Sequence, residues 1–478
     1  MPPWPERALV AQLAHHLADP ARAGDRTGPR LLTEPAASDS VAPDLRSVPR
    51  GDARGRRSAA EVTRAAADSL QMDRRPSVDT ALSATSTRLA VALFGYFVLV
   101  TLVITLTPFD FGRRPVLLSW MLVPSDIVAN IALFLPIGFL LRSIGFHWMR
   151  RIWQVVLLAA AFSMLLETAQ IFIEGRFVSP VDLATNTFGG YLGIMLRDRV
   201  ERWSVWRPHV VGRIGLDVPL VGLLYLLVPQ LWLSGVGLVD DPRRSATMLL
   251  LGCAGSIVLV ALHRHKWQGS ARLAAKMMPP LALAWFAVGA LPSLAGSPHI
   301  FVPLALGVVA MTAWLLRPAV DVRERRFEAD TLGRFVPVFM LYVVVSALWP
   351  PLRAVTPWHG AIGFANRLND AGVLDVLLLL EQVGGFTLLG YAAAEWRGRR
   401  ELTLTADLPR VTAIAVTFAL ALELGQGLLV GPGASLVRAL LATSGAMYGA
   451  AVYHLARAHV RALRAAQPAP AAEHRQAA

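Results

Sequence analysis

The feature that most constrains this chain is the recurrence of apolar runs of roughly 17 to 25 residues, each stopped by Arg, Pro or Gly. A helix of that length crosses a hydrocarbon core of ~30 Å, and a helix satisfies its own backbone hydrogen bonds where no water can. From Leu89 onward twelve such runs can be marked, at about 89–107, 127–145, 152–173, 181–197, 218–236, 246–262, 278–295, 299–317, 335–350, 374–394, 409–430 and 435–456. The expected fold is therefore an all-α polytopic membrane protein with about twelve transmembrane helices. The fourth run is short and Gly-rich, so a re-entrant segment is the alternative there. The composition agrees, with 54% of residues in the hydrophobic set and 17% charged, against about 25% charged in a soluble domain.

Loop charge sets the expected orientation, because Lys and Arg accumulate on the cytoplasmic side. The loops after the even-numbered runs read RSIGFHWMRR, RDRVERWSVWRPHVVGR, HRHKWQGSARLAAK, RPAVDVRERRFEADTLGR and WRGRRELTLTADLPR, and ARAHVRALR follows the last run. The alternate loops are poorer in Arg, apart from the pairs Arg113–Arg114 and Arg243–Arg244. Both termini are thus expected to be cytoplasmic. The net charge of +13 reads as topology and attraction to anionic lipid, with no nucleic acid implied.

Five segments follow. Residues 1–85 read as a disordered, Arg-rich cytoplasmic tail, 86–205 as a membrane module, 206–330 as an apolar four-helix connector, 331–460 as a second module, and 461–478 as a cytoplasmic tail. Cys253 is the single cysteine, which leaves no intrachain disulfide and no thiolate metal site. No metal and no cofactor is expected.

Polar residues interrupt the membrane pattern in the first module. Asp126 and Asn130 open the second run, Glu167 and Gln170 close the third, and Asp182 and Asn186 open the fourth. Their i,i+4 and i,i+3 spacings put each pair on one helix face. Asp110 closes the first run and Arg176 lies in the loop between the third and fourth. On the expected topology every one of these groups faces the extracytoplasmic side. A carboxylate within the membrane costs about 2.5 to 3.5 kcal/mol on insertion scales, so these faces should turn inward, with Arg176 the natural partner of Glu167 or Asp182. Hydrogen-bonded helix glue explains the same residues without any chemistry.

The stretches TPFD, DIVANIALFLPIGF, LLETAQ and GRFVSPVDLATNTFGGYLG resemble the sequential signatures of the VanZ-like family of bacterial membrane proteins, over about residues 89–198. Asn130, Glu167, Gln170, Arg176, Asp182 and Asn186 match the family's polar positions. The name-giving member of that family is associated with low-level resistance to the glycopeptide teicoplanin. The resemblance implies a cell-envelope role, with a membrane lipid or a lipid-linked cell-wall precursor as the partner.

An internal repeat is also expected. LLETAQIFIEGRFVSPVDLATNTFGGYLGIML lies without gaps on ALELGQGLLVGPGASLVRALLATSGAMYGAAV, which puts Glu167 on Glu423, Gln170 on Gln426, Gly189 on Gly445 and Gly193 on Gly449. Upstream, NIALFLPIGF resembles QVGGFTLLGY, with Phe134 on Phe386 and Gly138 on Gly390. Arg176 falls on Pro432, Asp182 on Arg438 and Asn186 on Ala442. The second copy is expected to keep the fold with its site lost or changed, Glu381 and Arg438 being the residues that could re-form a cluster.

Three functions fit these residues. One is an outward-facing site for a lipid headgroup or lipid-linked glycan, in which Glu167 is the acid–base candidate and Asp110, Asp126, Asn130, Gln170, Arg176, Asp182 and Asn186 form the ligand-binding or polar cluster. The others are a transporter or flippase, and a non-catalytic membrane scaffold. No nucleophile elbow, metal-ligand spacing or phosphate loop argues for an enzyme.

Overall fold

The computed structural model describes residues 84–106, 112, 120, 122–145, 151–173, 178–206, 208–235, 242–266, 271–294, 297–317, 327–349, 358, 360–361, 373–398, 402–429 and 433–466. The expected N-terminal tail up to residue 83, the C-terminal residues from 467, and Asp110 and Arg176 lie outside the described residues.

Twelve helices follow one another: α1 (Ala84–Leu106), α2 (Pro124–Ile144), α3 (Ile152–Gln170), α4 (Pro180–Trp206), α5 (Pro208–Gly235), α6 (Pro242–Lys266), α7 (Ala271–Leu294), α8 (Pro298–Leu315), α9 (Phe327–Leu348), α10 (Val373–Arg397), α11 (Leu404–Gln426) and α12 (Leu436–Ala466). Each contains one of the twelve apolar runs almost whole. Among the described residues nine are long and apolar enough to cross a membrane, and α5 adds a shorter apolar stretch, Leu220–Gly235. The chain is a multi-pass membrane protein. The fourth run is a continuous helix of 27 residues, about 40 Å long, where a re-entrant segment was the alternative.

Helix ends fall where the local chemistry puts them. Several helices begin on proline, whose fixed φ and missing N–H suit the first turn. Gly145 ends α2 in the left-handed region, at φ 67°, a conformation that costs glycine nothing. Leu157, Leu165, Leu306, Leu424 and Leu440 point outward, as lipid-facing side chains of a bundle do. Phe97, Phe134, Trp232, Phe286, Phe339, Phe386 and Tyr391 fill the interior.

Two helix pairs approach most intimately, and glycine permits both. A Cβ on Gly138 of α2 would lie 2.0 Å from Gly190 O of α4, and one on Gly193 2.0 Å from Leu135 O. In the C-terminal half a Cβ on Gly390 of α10 would lie 2.0 Å from Ala446 O of α12, and one on Gly449 1.8 Å from Thr387 O. Backbone meets backbone in both crossings, the small-residue packing that membrane helices favour.

α1 and α12 run antiparallel side by side. Tyr448 donates to Ala92 O at 2.6 Å, and Thr85 hydrogen-bonds His459 at 3.5 Å. The end of α1 and the start of α12 therefore share one end of the bundle. Consecutive crossing helices bring the ends of α3 and α11 and the starts of α2, α4, α6 and α10 to that same end. The opposite end carries the ion pairs Arg142–Asp198 (3.0 Å) and Arg397–Asp407 (2.8 Å), with His454 3.2 Å from Asp407.

Candidate functional site

In the N-terminal half, the last turn of α3 organises the polar residues. Glu167 is buried, and its Oε2 accepts the Ser179 backbone N–H at 3.1 Å. That bond holds the entry to α4, where Ser179 Oγ in turn accepts the Asp182 N–H at 3.2 Å. Gln170 donates from Nε2 to Thr105 O at 3.0 Å, occupying one of the carbonyls that the last turn of α1 leaves free. One Glu-x-x-Gln turn thus ties α1, α3 and α4 together.

Two asparagines lie deeper. Asn130 of α2 donates to Thr185 Oγ1 at 3.4 Å. Asn186 is buried and donates to Ser163 Oγ of α3 at 3.0 Å, while its buried Oδ1 has no hydrogen-bond partner among the described residues. A buried acceptor left unserved costs about 1–3 kcal/mol, so among the described residues of the cluster Oδ1 stands out as a vacancy. Asp126 is exposed beside Ser125, which donates to it at 3.2 Å. The structure therefore gathers Asn130, Glu167, Gln170, Asp182 and Asn186 around the first turns of α4 and leaves Asp126 at the edge. Ser163, Ser179 and Thr185 belong to the cluster and escaped the sequence reading, because Ser and Thr in membrane helices commonly bond their own backbone.

The C-terminal half repeats the device with different charges. Glu423 Oε2 accepts the Ser435 backbone N–H at 2.7 Å, and Gln426 Nε2 donates to Ala347 O at 3.1 Å. Arg438 grips the same carboxylate in a fork, Nε to Oε1 at 3.1 Å and Nη2 to Oε2 at 2.7 Å. Its Nη2 also donates to Gln426 Oε1 and Gly433 O. Gln382 adds a bond to Glu423 Oε1 at 3.3 Å. The second cluster is changed, not lost: a guanidinium stands on the first turn of α12, where the aligned position of α4 has Asp182.

A further network runs inward from Glu381 of α10. Its Oε1 accepts from Ser234 at 2.8 Å and from Tyr342 at 3.3 Å, and its Oε2 lies 3.4 Å from Arg243 Nη2. Gln230 donates to Glu381 O at 2.7 Å and to the Tyr342 hydroxyl. Gln230, Ser234 and Arg243 come from α5 and α6, so the segment expected to be an apolar connector supplies three of the five residues of this network. Gln230 and Ser234 stand alone in VPQLWLSG, and that isolation inside an apolar run was the available signal.

The VanZ/LLP1 family model matches residues 76–200, the segment whose helices α1 to α4 carry the first cluster. This segment is a VanZ-like module. No curated protein and no solved structure matches the chain. The VanZ-like module ends before α5, so the second cluster and the Glu381 network lie outside the matched residues.

Proposed function

We propose that the VanZ-like module presents an outward-facing polar site for a lipid headgroup or lipid-linked glycan of the bacterial cell envelope, and through it influences susceptibility to glycopeptides such as teicoplanin. The observation that carries this reading is Asn186: its carboxamide nitrogen is bonded to Ser163, while its buried oxygen has no hydrogen-bond partner among the described residues. A ligand hydroxyl or amide N–H at Oδ1 would complete the set. Loop charge supports the outward orientation, and Arg176, Asp110 and Asp182 are assigned to the same site as charged ligands. Glu167 is its acid–base candidate. The matching clamps, Glu167 on Ser179 and Glu423 on Ser435, give these glutamates a first duty in holding a helix entry. They also support the reading of the C-terminal half as a diverged second copy.

Asn186→Ala tests the site, because Ala442 occupies the aligned position in the other half, where alanine is buried in the core. The variant should reach the wild-type level in the membrane, while teicoplanin susceptibility of the host reverts to that of cells lacking the protein. Wild-type susceptibility at equal protein level would overturn the site. Loss of protein and phenotype in proportion would assign the polar residues to helix glue.

A further inference from the structure

At the end of the bundle opposite the VanZ-like cluster, an open groove of about 900 Å³ lies among α2, α3 and α4. Arg142, in the last turn of α2, and Arg151, the residue before α3, stand at its rim. Ile152, Trp153, Val156, Leu157 and Tyr191 line the rest. Leu157 is five residues beyond Ile152 on α3, and Tyr191 is seven residues before Asp198 on α4, so the groove reaches roughly 8 to 10 Å from the level of the arginines into the span. Charge thus sits at the depth of lipid headgroups, and apolar and aromatic surface follows at the depth of the first acyl carbons.

The rim is positive on balance. Arg142 donates to Asp198 from Nε to Oδ1 at 3.0 Å and from Nη2 to Oδ2 at 3.4 Å, and Arg197 Nη1 donates to the same Oδ1 at 3.4 Å. The Asp198 carboxylate does not line the groove, so it fixes the Arg142 guanidinium without filling the space beside it. Arg151 is exposed and forms no ion pair among the described residues. Three guanidiniums therefore stand against one carboxylate. The leading N–H groups of α3 have no partner within the helix, and they add positive potential at the same place. Trp153, Leu157 and Tyr191 are exposed, and in a bilayer such surface is covered by acyl chain.

A soluble phosphate would meet the arginines and leave the apolar groove empty. A zwitterionic phospholipid would fill the groove and bring its ammonium against the guanidiniums. We propose that the groove binds a phospholipid of net negative charge, with its phosphate on Arg142 and Arg151 and its upper acyl chains over Trp153, Val156, Leu157 and Tyr191. The volume suits the headgroup, the glycerol backbone and the start of the chains, since sites for molecules of that size run to about 300–1,000 Å³. The lipid belongs to the leaflet away from the polar cluster of the VanZ-like module, and neither site depends on the other.

The test is lipid retention by the purified full chain after delipidation in detergent, read by native mass spectrometry with phosphatidylglycerol and phosphatidylcholine of identical acyl chains. Phosphatidylglycerol should be held about tenfold more tightly, the worth of one charge-assisted hydrogen bond. Arg151→Gln, at an exposed position, should cut that preference to about threefold or less. Arg410→Gln removes an exposed arginine from the second turn of α11, at the same end of the bundle and off the groove, and should leave the preference whole. Excess glycerol phosphate should fail to displace phosphatidylglycerol; displacement would assign the arginines to a soluble phosphate and overturn the lipid site. Equal retention of the two lipids by the wild type also overturns it. So does a preference that survives Arg151→Gln, or one that falls as far in Arg410→Gln, which would mark attraction to the protein's general positive charge.

Discussion

Replacing Gly138 with alanine should break the module at its tightest crossing. The added methyl would sit 2.0 Å from Gly190 O, where ordinary contact begins near 3.4 Å. The obstacle is backbone, so no side-chain rotation relieves it, and α2 and α4 must separate by about 1.4 Å. That separation also loosens Gly189 against Ile131 and Gly193 against Leu135, which approach along the same line. Overpacking of this kind costs roughly 1–3 kcal/mol, occasionally more, against a gain of up to about 1 kcal/mol from helix propensity. A net loss near 2 kcal/mol is expected. Gly95→Ala in α1 and Gly333→Ala in α9 are the controls, since nothing lies within 4 Å of a Cβ at either position. Thermal unfolding of the purified protein in detergent, followed by tryptophan fluorescence, should place the controls at or slightly above wild type and Gly138→Ala well below. If Gly138→Ala unfolds together with the controls, the close approach does not exist in the membrane-extracted protein and the crossing geometry is wrong.

Arg438→Ala leaves the buried Glu423 carboxylate without its guanidinium, and breaking such a pair from one side should cost about 3–5 kcal/mol. Adding Glu423→Gln should recover much of that loss in a double-mutant cycle read by unfolding in the same detergent. His459, near the end of α12, has its pKa pushed below the usual 6.5 by burial. The unfolded chain therefore takes up the proton first as pH falls, so His459 should lower stability as the protein is acidified from neutrality through that value. His459→Gln should flatten this part of the dependence of unfolding temperature on pH.

The helices were legible because an apolar run between charges permits little else in a bilayer, and the observed ends of α2, α3 and α8 fall close to the apolar runs. The glycine crossings were legible for a related reason: Gly189 and Gly193 recur as Gly445 and Gly449 at one offset, and Gly138 recurs as Gly390 at an offset four residues shorter. What escaped was compensation in space. The alignment, with Arg438 opposite Asp182, suggests Glu381 as the arginine's partner, but Glu381 faces Arg243 instead. In the fold that arginine reaches back to Glu423, fifteen residues away in the chain, across a helix turn that no alignment column represents. Gln230 and Ser234 escaped because a single carboxamide or hydroxyl in an apolar helix is ordinary until its partner is known. That partner, Glu381, is 151 residues from Gln230 and 147 from Ser234.

The pairing of α1 with α12 also bears on how the chain is made. Tyr448 and the Ala92 carbonyl that it reaches are 356 residues apart, and a ribosome adding about 5–20 residues per second needs roughly 20 to 70 s to span them. During that interval the flank of α1 that will meet α12 is open to lipid or to a biogenesis factor. The first helix to enter the bilayer is thus among the last to acquire its native neighbours.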